Sequence, residues 1–428
     1  MKIYTFNSLT KQEVQELCSR SISDDNLVKS RTEEIINNVK NNGDDALLGY
    51  AKQFDNIALS SLFIAKEELA EIAKQIPAEV KTAIDIAHRN IYTFHAAQLK
   101  QEDKIETMPG VTCWRENRAI ERVGLYIPGG TAVLPSTFLM LGIPAKIAGC
   151  KEIVVCSPPQ SDGKVNCYIA YVATLLNIEK VYLVGGAQAV AAMAYGTETI
   201  PQVFKIFGPG NRYVTEAKKQ VQNRVAIDMP AGPSEVLVLA DETANPSYVA
   251  ADLLAQAEHG TDSQSILAVT SNKTSNEVIL ELERQLEGLP RKDIAAAAIA
   301  NSYIMLVNDL EQGMEFSNVY APEHLILATE KYESLIPQIT NAGSVFLGNL
   351  TPESAGDYAS GTNHTLPTSA FAKAYSGVSV DTFIKKITFQ HLNANGLKNI
   401  GNTVEVLAEA EGLQAHKNAV SIRLKNKE

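Results

Sequence analysis

Val181-Tyr182-Leu183-Val184-Gly185-Gly186-Ala187-Gln188 sets a short, β-branched apolar run against two glycines and the opening of an alanine-rich helix. A four-residue run of this composition reads as a buried strand, and the glycines allow the tight turn that brings helix-start N–H groups toward an anion. Working outward, the same rhythm recurs. Glu152–Cys156 reads as a strand and Val165–Leu176 as a helix before it. After it come a helix to Tyr195, a strand over Val203–Phe207, and Gly208-Pro209-Gly210-Asn211 opening a helix to Val221. Strand and helix in alternation predict a parallel α/β sheet with crossover helices on both faces. Neither glycine turn is the Gly-x-Gly-x-x-Gly dinucleotide fingerprint, so nucleotide contact stands beside the plain use of glycine in a tight turn.

A second series begins at Glu235–Ala240, a strand. It continues with a helix over Tyr248–Ala257, a strand over Ser265–Thr270, a helix over Asn276–Leu286, a strand over Tyr303–Val307 and a helix over Leu310–Asn318. His324–Ala328 and Ser344–Leu347 complete the sheet. Proline and glycine punctuate Val123 to Pro135, with Gly129-Gly130 at its centre, and Met229 to Ser234. Taken as boundaries, these predict two similar Rossmann-like parallel α/β domains, one inserted in the other. The inserted domain covers 126–234, and the other is made of 23–125 and 235–378, preceded by an N-terminal helical arm at 1–22. From Ser379 the chain reads as a small helical C-terminal tail, 379–428, with a last strand-like run at Ala419–Leu424. Such a tail is too small for its own core and is expected to pack on a partner subunit.

The 428 residues carry 38 Lys plus Arg against 49 Asp plus Glu, a net charge of −11, so neither nucleic acid nor an anionic membrane is favoured as a partner. The N-terminus lacks the apolar segment of a secretory signal and no run is long enough to span a membrane, which predicts a cytoplasmic protein. The five cysteines are scattered, form no Cys-x-x-Cys pair, and read as reduced thiols; Cys150 and Cys156, flanking a strand, read as buried structural residues.

The residues that could do chemistry are spread along the second series. Gln256 and His259 fall three apart at the end of a helix that Gly260 stops, on one side of its last turn. Ala321-Pro322-Glu323-His324 puts a carboxylate beside an imidazole; in a regular strand they would face opposite ways, but the proline favours a bend that lets both serve one site as two general bases. The polar text from Pro352 to Pro367 offers Asp357 and His364, and the break at Glu411-Gly412 brings Glu411 and His416 near each other. If the tail folds over a cleft, its own or a neighbour's, then Gln256, His259, Asp357 and His416 make a sulfur-free O and N ligand set suited to zinc or manganese at a catalytic site.

Together, Gly124–Ser136, the two glycine turns, Asp228–Ser234, Gln256–Gln264, Ala321–Leu325, Gly343–Pro367 and Glu411–Val420 resemble the histidinol dehydrogenase family, in order, over about residues 120–420. The N-terminal region adds little to the match. The resemblance implies oxidation of L-histidinol to L-histidine through L-histidinaldehyde with two NAD, the last steps of histidine biosynthesis. It further implies an intertwined homodimer in which Gln256, His259 and Asp357 of one subunit and His416 of the other bind Zn2+, with Mn2+ as a possible substitute. By the same motifs, Glu323 and His324 are the proton acceptors. Ser234, His364 and Glu411 join the four metal ligands and His324 as substrate contacts, and Tyr126, Gln188 and Asn211 contact NAD. Two rival readings are a metal-dependent amide hydrolase, which would need no NAD, and a non-catalytic nucleotide sensor, indifferent to loss of Glu323 or His324.

Overall fold

The computed structural model describes residues 1–20, 26–129 and 133–425. Gly130 and the expected boundary at 22/23 lie outside the described residues. The strands, in chain order, are β1 (Lys2–Thr5), β2 (Phe63–Ala65), β3 (Ile105–Met108), β4 (Val111–Ala119), β5 (Arg122–Tyr126), β6 (Glu152–Ser157), β7 (Lys180–Leu183) and β8 (Lys205–Phe207). There follow β9 (Ala226–Ile227), β10 (Glu235–Ala240), β11 (Gln264–Val269), β12 (Tyr303–Leu306), β13 (His324–Ala328), β14 (Ser344–Leu347) and β15 (Ile384–Leu392).

Two six-stranded sheets are ordered β1-β12-β11-β10-β13-β14 and β2-β7-β6-β5-β8-β9. The first is parallel throughout, and in the second only β2 runs against its neighbour. The parallel α/β architecture read from the sequence is therefore present. In each sheet three strands march outward from the centre and the next returns to the other side, leaving a switch point between β5 and β8 and between β10 and β13. All six residues of β10 are buried, as a strand covered by helices on both faces must be.

The first boundary falls elsewhere than expected. The alternation Val123-Gly124-Leu125-Tyr126 sends Val123 and Leu125 into one core of the second sheet and Tyr126 into the other, so β5 is an inner strand and not a linker. The helices Asn26–Phe54, Lys66–Ala73 and Ala78–Ala96 close over the same sheet: Ile36, Val39 and Leu47 join one core, Leu69, Ile84 and Ile91 the other. The text 23–125, expected to join 235–378, thus shares its apolar cores with 126–229. The expected helical arm also begins as a strand, since β1 pairs with β12; its helix Lys11–Cys18, closed by a capping box from Thr10, buries Val14 and Cys18 against the first sheet.

The tail differs from expectation as well. Residues 384–392 form β15, antiparallel to β4 along nine residues, with β3 on the far side of β4. Two helices follow, Ala394–Ala410 and Gln414–Lys425, and the strand-like Ala419–Leu424 lies inside the second. Its half-buried positions 417, 420, 421 and 424 follow helical spacing, and Leu424 packs onto Gly401 of the first, which overrides β-branched propensity.

Phe383, fully buried, stacks on Phe207 with ring centroids 3.9 Å apart and anchors the segment before β15 to the second sheet. Loss of this ring removes its burial and leaves a cavity. Phe383→Ala should lower unfolding stability by about 3–5 kcal/mol in urea titration; a loss under about 1 kcal/mol would show the anchor to be dispensable.

A second tie involves His95, buried in the helix Ala78–Ala96. Its Nδ1 lies 2.9 Å from the Ile91 carbonyl and its Nε2 3.5 Å from the Asn363 amide, which itself donates to the Met140 carbonyl at 2.6 Å. Burial holds His95 below the ordinary imidazole value of 6.5, although the bond to Ile91 opposes the shift. The unfolded chain then binds the proton more readily. This contribution to stability is complete above pH ~6.5 and is lost as the pH falls below it. The urea midpoint should drop between about pH 7.5 and 5.5, and His95→Gln should flatten that drop; identical pH dependence in both proteins would refute the assignment.

Candidate active site

The helix Pro246–Ala257 starts cleanly because Asn245 accepts from the Ser247 N–H and Pro246 takes the first helical position. Val249, Leu253, Leu254 and Ala257 bury one stripe in the core of the first sheet. Gln256 goes inward with them: its side chain is fully buried, and neither its amide nitrogen nor its oxygen has a hydrogen-bond partner among the described residues. A dry, unbonded polar group costs roughly 1–3 kcal/mol, so this position calls for a ligand from outside the chain. His259, one turn on, is exposed at the rim.

The helix Leu310–Tyr320 ends with Ala321 in the left-handed region, φ 53°, ahead of Pro322. That turn delivers Glu323 just before β13 and His324 as its first residue, both buried, with Glu323 Oε2 3.8 Å from His324 Nδ1. The bend puts both side chains in one site. Glu323 Oε2 accepts the Glu235 N–H at 2.9 Å, and His324 Nδ1 lies 3.1 Å from the Glu235 carbonyl. Bonding to a carbonyl places the imidazole proton on Nδ1, which assigns Nε2 as the basic nitrogen. Among the described residues Nε2 has no hydrogen-bond partner, and it stands 3.5 Å from Asp357 Oδ1, an ion-pair approach too long for a full hydrogen bond.

Asp357 belongs to the short helix Glu353–Tyr358, which opens after Pro352. Four residues apart, Glu353 and Asp357 share a helix face. Glu353 is buried, its Oε1 is 3.6 Å from His324 Nδ1, and its other oxygen is unbonded. One ligand atom each from His259, Glu353 and Asp357 lie within 4.8 Å of one another. These nitrogen and oxygen donors fit a divalent cation, and the unbonded Gln256 carboxamide, three residues before His259 in the last turn of the helix Pro246–Ala257, offers a further oxygen of the same kind. Glu353 was missing from the sequence-derived set; two carboxylates four apart behind a proline are the signal that marks it.

Burial pushes Glu323 up to about 7, against the opposing pull of His324 and the Glu235 N–H. Glu353 rises to about 8, chiefly through burial, with Asp357 and Glu323 adding to it. Burial works to lower His324, but the charges of Glu353, Glu323 and Asp357 outweigh it and raise the imidazole to about 10. Burial would raise Asp357, yet His324 beside it brings it below the usual carboxylate value. His259 and His364 are both lowered, mainly by desolvation. Burial pushes Cys150 up to about 12 and Cys156 higher still, so neither offers a thiolate near neutral pH.

The remaining expected residues divide into three groups. His364 lies beside the cluster, with Nδ1 2.9 Å from the Asp357 carbonyl and Nε2 3.1 Å from Thr137 Oγ1. Ser234 leads into β10, its carbonyl accepting the Gln264 N–H. Glu411 and His416 are exposed at the bend of the tail's helical hairpin, and this chain's own ligand cluster does not include His416.

Tyr126, Gln188 and Asn211 follow the carboxy ends of β5, β7 and β8, the edge at which open α/β sheets receive ligands. The Tyr126 hydroxyl accepts the Gly186 N–H at 3.1 Å, and Asn211 caps the helix Arg212–Gln220 by accepting from Tyr213 and Val214. Gln188 is buried against Gly186. At Gly208, φ 129°, an added Cβ would fall 2.2 Å from the Tyr126 carbonyl, so the backbones of β5 and β8 meet here without side chains between them.

Comparison with known proteins agrees along the whole chain. The histidinol dehydrogenase family model matches residues 18–424. The histidinol dehydrogenase of Bacteroides fragilis is 57% identical over 415 residues, covering 97% of each chain. The chloroplastic histidinol dehydrogenase of Arabidopsis thaliana is 49% identical over 431 residues, covering 100% of this chain and 92% of its own. The crystal structure of histidinol dehydrogenase from Elizabethkingia anophelis superposes with a TM-score of 0.96 at 51% identity, covering 100% of this chain and 98% of that one.

Proposed function

Since this chain belongs to the histidinol dehydrogenase family of NAD-dependent oxidoreductases, we propose that its site oxidises L-histidinol to L-histidine through L-histidinaldehyde, reducing two NAD. One observation carries the assignment of the site: a buried carboxamide without a partner, Gln256, one turn from His259 on the helix that flanks the Glu323–His324 pair. Gln256, His259 and Asp357, with His416 of the partner subunit, would hold zinc, or manganese in its place. When bound, the metal fixes and polarises the substrate's imidazole and amine, while NAD accepts the hydrides.

The chain's own groups divide the proton transfers. His324 Nε2 takes the hydroxyl proton during the first oxidation, a contribution of about 10² to 10⁴ in rate. For this it must be neutral, and a dication held by the ligand set would balance the carboxylate field that otherwise raises it. Glu323, near neutrality in pKa, then takes a proton from the water that adds to the aldehyde, and the hydrate yields the second hydride. Ser234, His364 and Glu411 position the substrate, and Tyr126, Gln188 and Asn211 face NAD.

A shared site is supported by the tail, where Val406, Leu407, Leu413 and Ile422 are exposed on a helical hairpin. An apolar face of this kind suits a homodimer whose tails reach across, each closing the other's exposed His259 and retaining the aldehyde between steps. Among the described residues no helix is long and apolar enough to cross a membrane, in keeping with a cytoplasmic enzyme.

Absorbance of reduced cofactor tests the reaction directly. Histidinol should yield two NADH per molecule, the signal should vanish on chelation, and added metal should restore it. No NADH from histidinol would refute the activity, and undiminished NADH after verified metal removal would refute the metal's role. Glu323→Gln should slow oxidation of supplied histidinaldehyde by about 10² to 10⁴ while sparing the first step; full-rate NADH formation from the aldehyde would remove Glu323 from its role. Mixed dimers of His259→Asn and His416→Asn subunits should regain one intact site, whereas confirmed exchange without recovery would count against a ligand from the neighbour.

A further inference from the structure

Glu235 is the residue whose backbone touches both members of the acid–base pair: its N–H donates to Glu323 Oε2 and its carbonyl faces His324 Nδ1. The orientation of that single peptide segment therefore sets where the Glu323 carboxylate sits and which nitrogen of His324 carries the proton. Its own side chain is buried and held at both oxygens. Oε1 accepts the Ser369 N–H at 2.8 Å, and Oε2 accepts from Arg20 Nη2 at 2.8 Å.

Arg20 comes from the N-terminal segment, 215 residues earlier in the chain. Its Nη1 donates to the Tyr320 carbonyl at 2.7 Å and to the Cys18 carbonyl at 2.9 Å, and its guanidinium lies 3.6 Å above the Tyr320 ring. Tyr320 closes the helix whose left-handed end turns the chain into Glu323. One guanidinium thus grips both approaches to the pair, the start of β10 and the chain just before Glu323. Stability alone is a poor reason for such a choice. Desolvating two charges offsets most of their attraction, and well-packed apolar side chains would hold the fold as firmly. What a planar, multidentate donor adds is a fixed geometry.

We propose that Arg20 and Glu235 are positioning residues for proton transfer, locking the Glu235 peptide so that Glu323 is oriented and His324 keeps Nε2 free. This rests on Glu323 and His324 being the proton-handling groups, and the test separates the two ideas. Arg20→Met alone would bury an unpaired carboxylate, so the double variant Arg20→Met with Glu235→Gln, which removes both charges at similar volume, is made alongside it. Thermal midpoint and metal content confirm folded holoenzyme.

The double variant should lose roughly 10- to 100-fold in kcat, as removal of supporting partners does. KM for histidinol and for NAD should stay within about threefold. Introduced into a Glu323→Gln, His324→Asn chain and measured in single turnover, the same two changes should cost nothing further, because the groups they act through are gone. In the holoenzyme, ¹⁵N signals of the His324 imidazole should report a single Nδ1–H tautomer that the double variant loses. Unchanged kcat in the folded double variant, an additive loss in the pair-deleted background, or an unchanged tautomer would each overturn the positioning role. Full activity of the Glu323→Gln, His324→Asn chain would instead overturn the reading of the pair itself.

Discussion

The site is built around a carboxamide that the protein buries and leaves unbonded. Each unmade bond at Gln256 costs the isolated chain on the order of 1–3 kcal/mol, a large fraction of a typical net stability. The same region confines Glu323, Glu353 and Asp357 around one imidazole, and burial first, with the carboxylates' mutual repulsion second, drives the pKa values of the first two upward. A cation bound by the amide oxygen and the carboxylates, as proposed above, would relieve both penalties at once. On that proposal the chain would hold its ligands in a state that is unfavourable alone and relieved by binding, which is how a fold couples metal affinity to local order.

The two sheets contribute opposite ends. The acid–base pair and the ligand cluster gather where β10 and β13 begin, at the end of the antiparallel-running helix Pro246–Ala257. The glycine turns gather where β5, β7 and β8 finish. Residues 357–369 connect them: Asn363 donates to the Met140 carbonyl, His364 reaches Thr137, and the Ser369 N–H donates to Glu235. This one segment touches the helix Pro135–Ala148 over the second sheet and the first residue of the central strand of the other. A disturbance there would reach both substrates' surroundings at once.

The parallel sheets were legible because β-branched runs ending in glycine turns carry their meaning locally. β14, which runs into Gly348, falls on the expected residues for that reason, and β13 does so as a short apolar run after a proline. Gln256 and His259 were legible as an i, i+3 pair, and Glu323–His324 as neighbours after a proline. Long-range placement was not. Nothing local in Val123–Tyr126 says whether it belongs to a hinge or to an inner strand. Nor does Ala419–Leu424 reveal that Gly401 will offer it a helical groove. Arg20 lay in text that added little to the resemblance read from motifs, because its meaning resides in Glu235 and Tyr320, residues that only the folded chain brings to it.

The pairing of β1 with β12 has a bearing on how the molecule is made. Lys2 meets Tyr303, and the strands between them in that sheet begin only at Glu235. On a ribosome the second sheet, complete by Ile227, can assemble from contiguous chain, while β1 waits for the edge of β12 to dock on. Closing so long a loop is entropically slow, so the nascent chain matures in stages, with β1, made before the rest of its sheet, among the last strands to be seated.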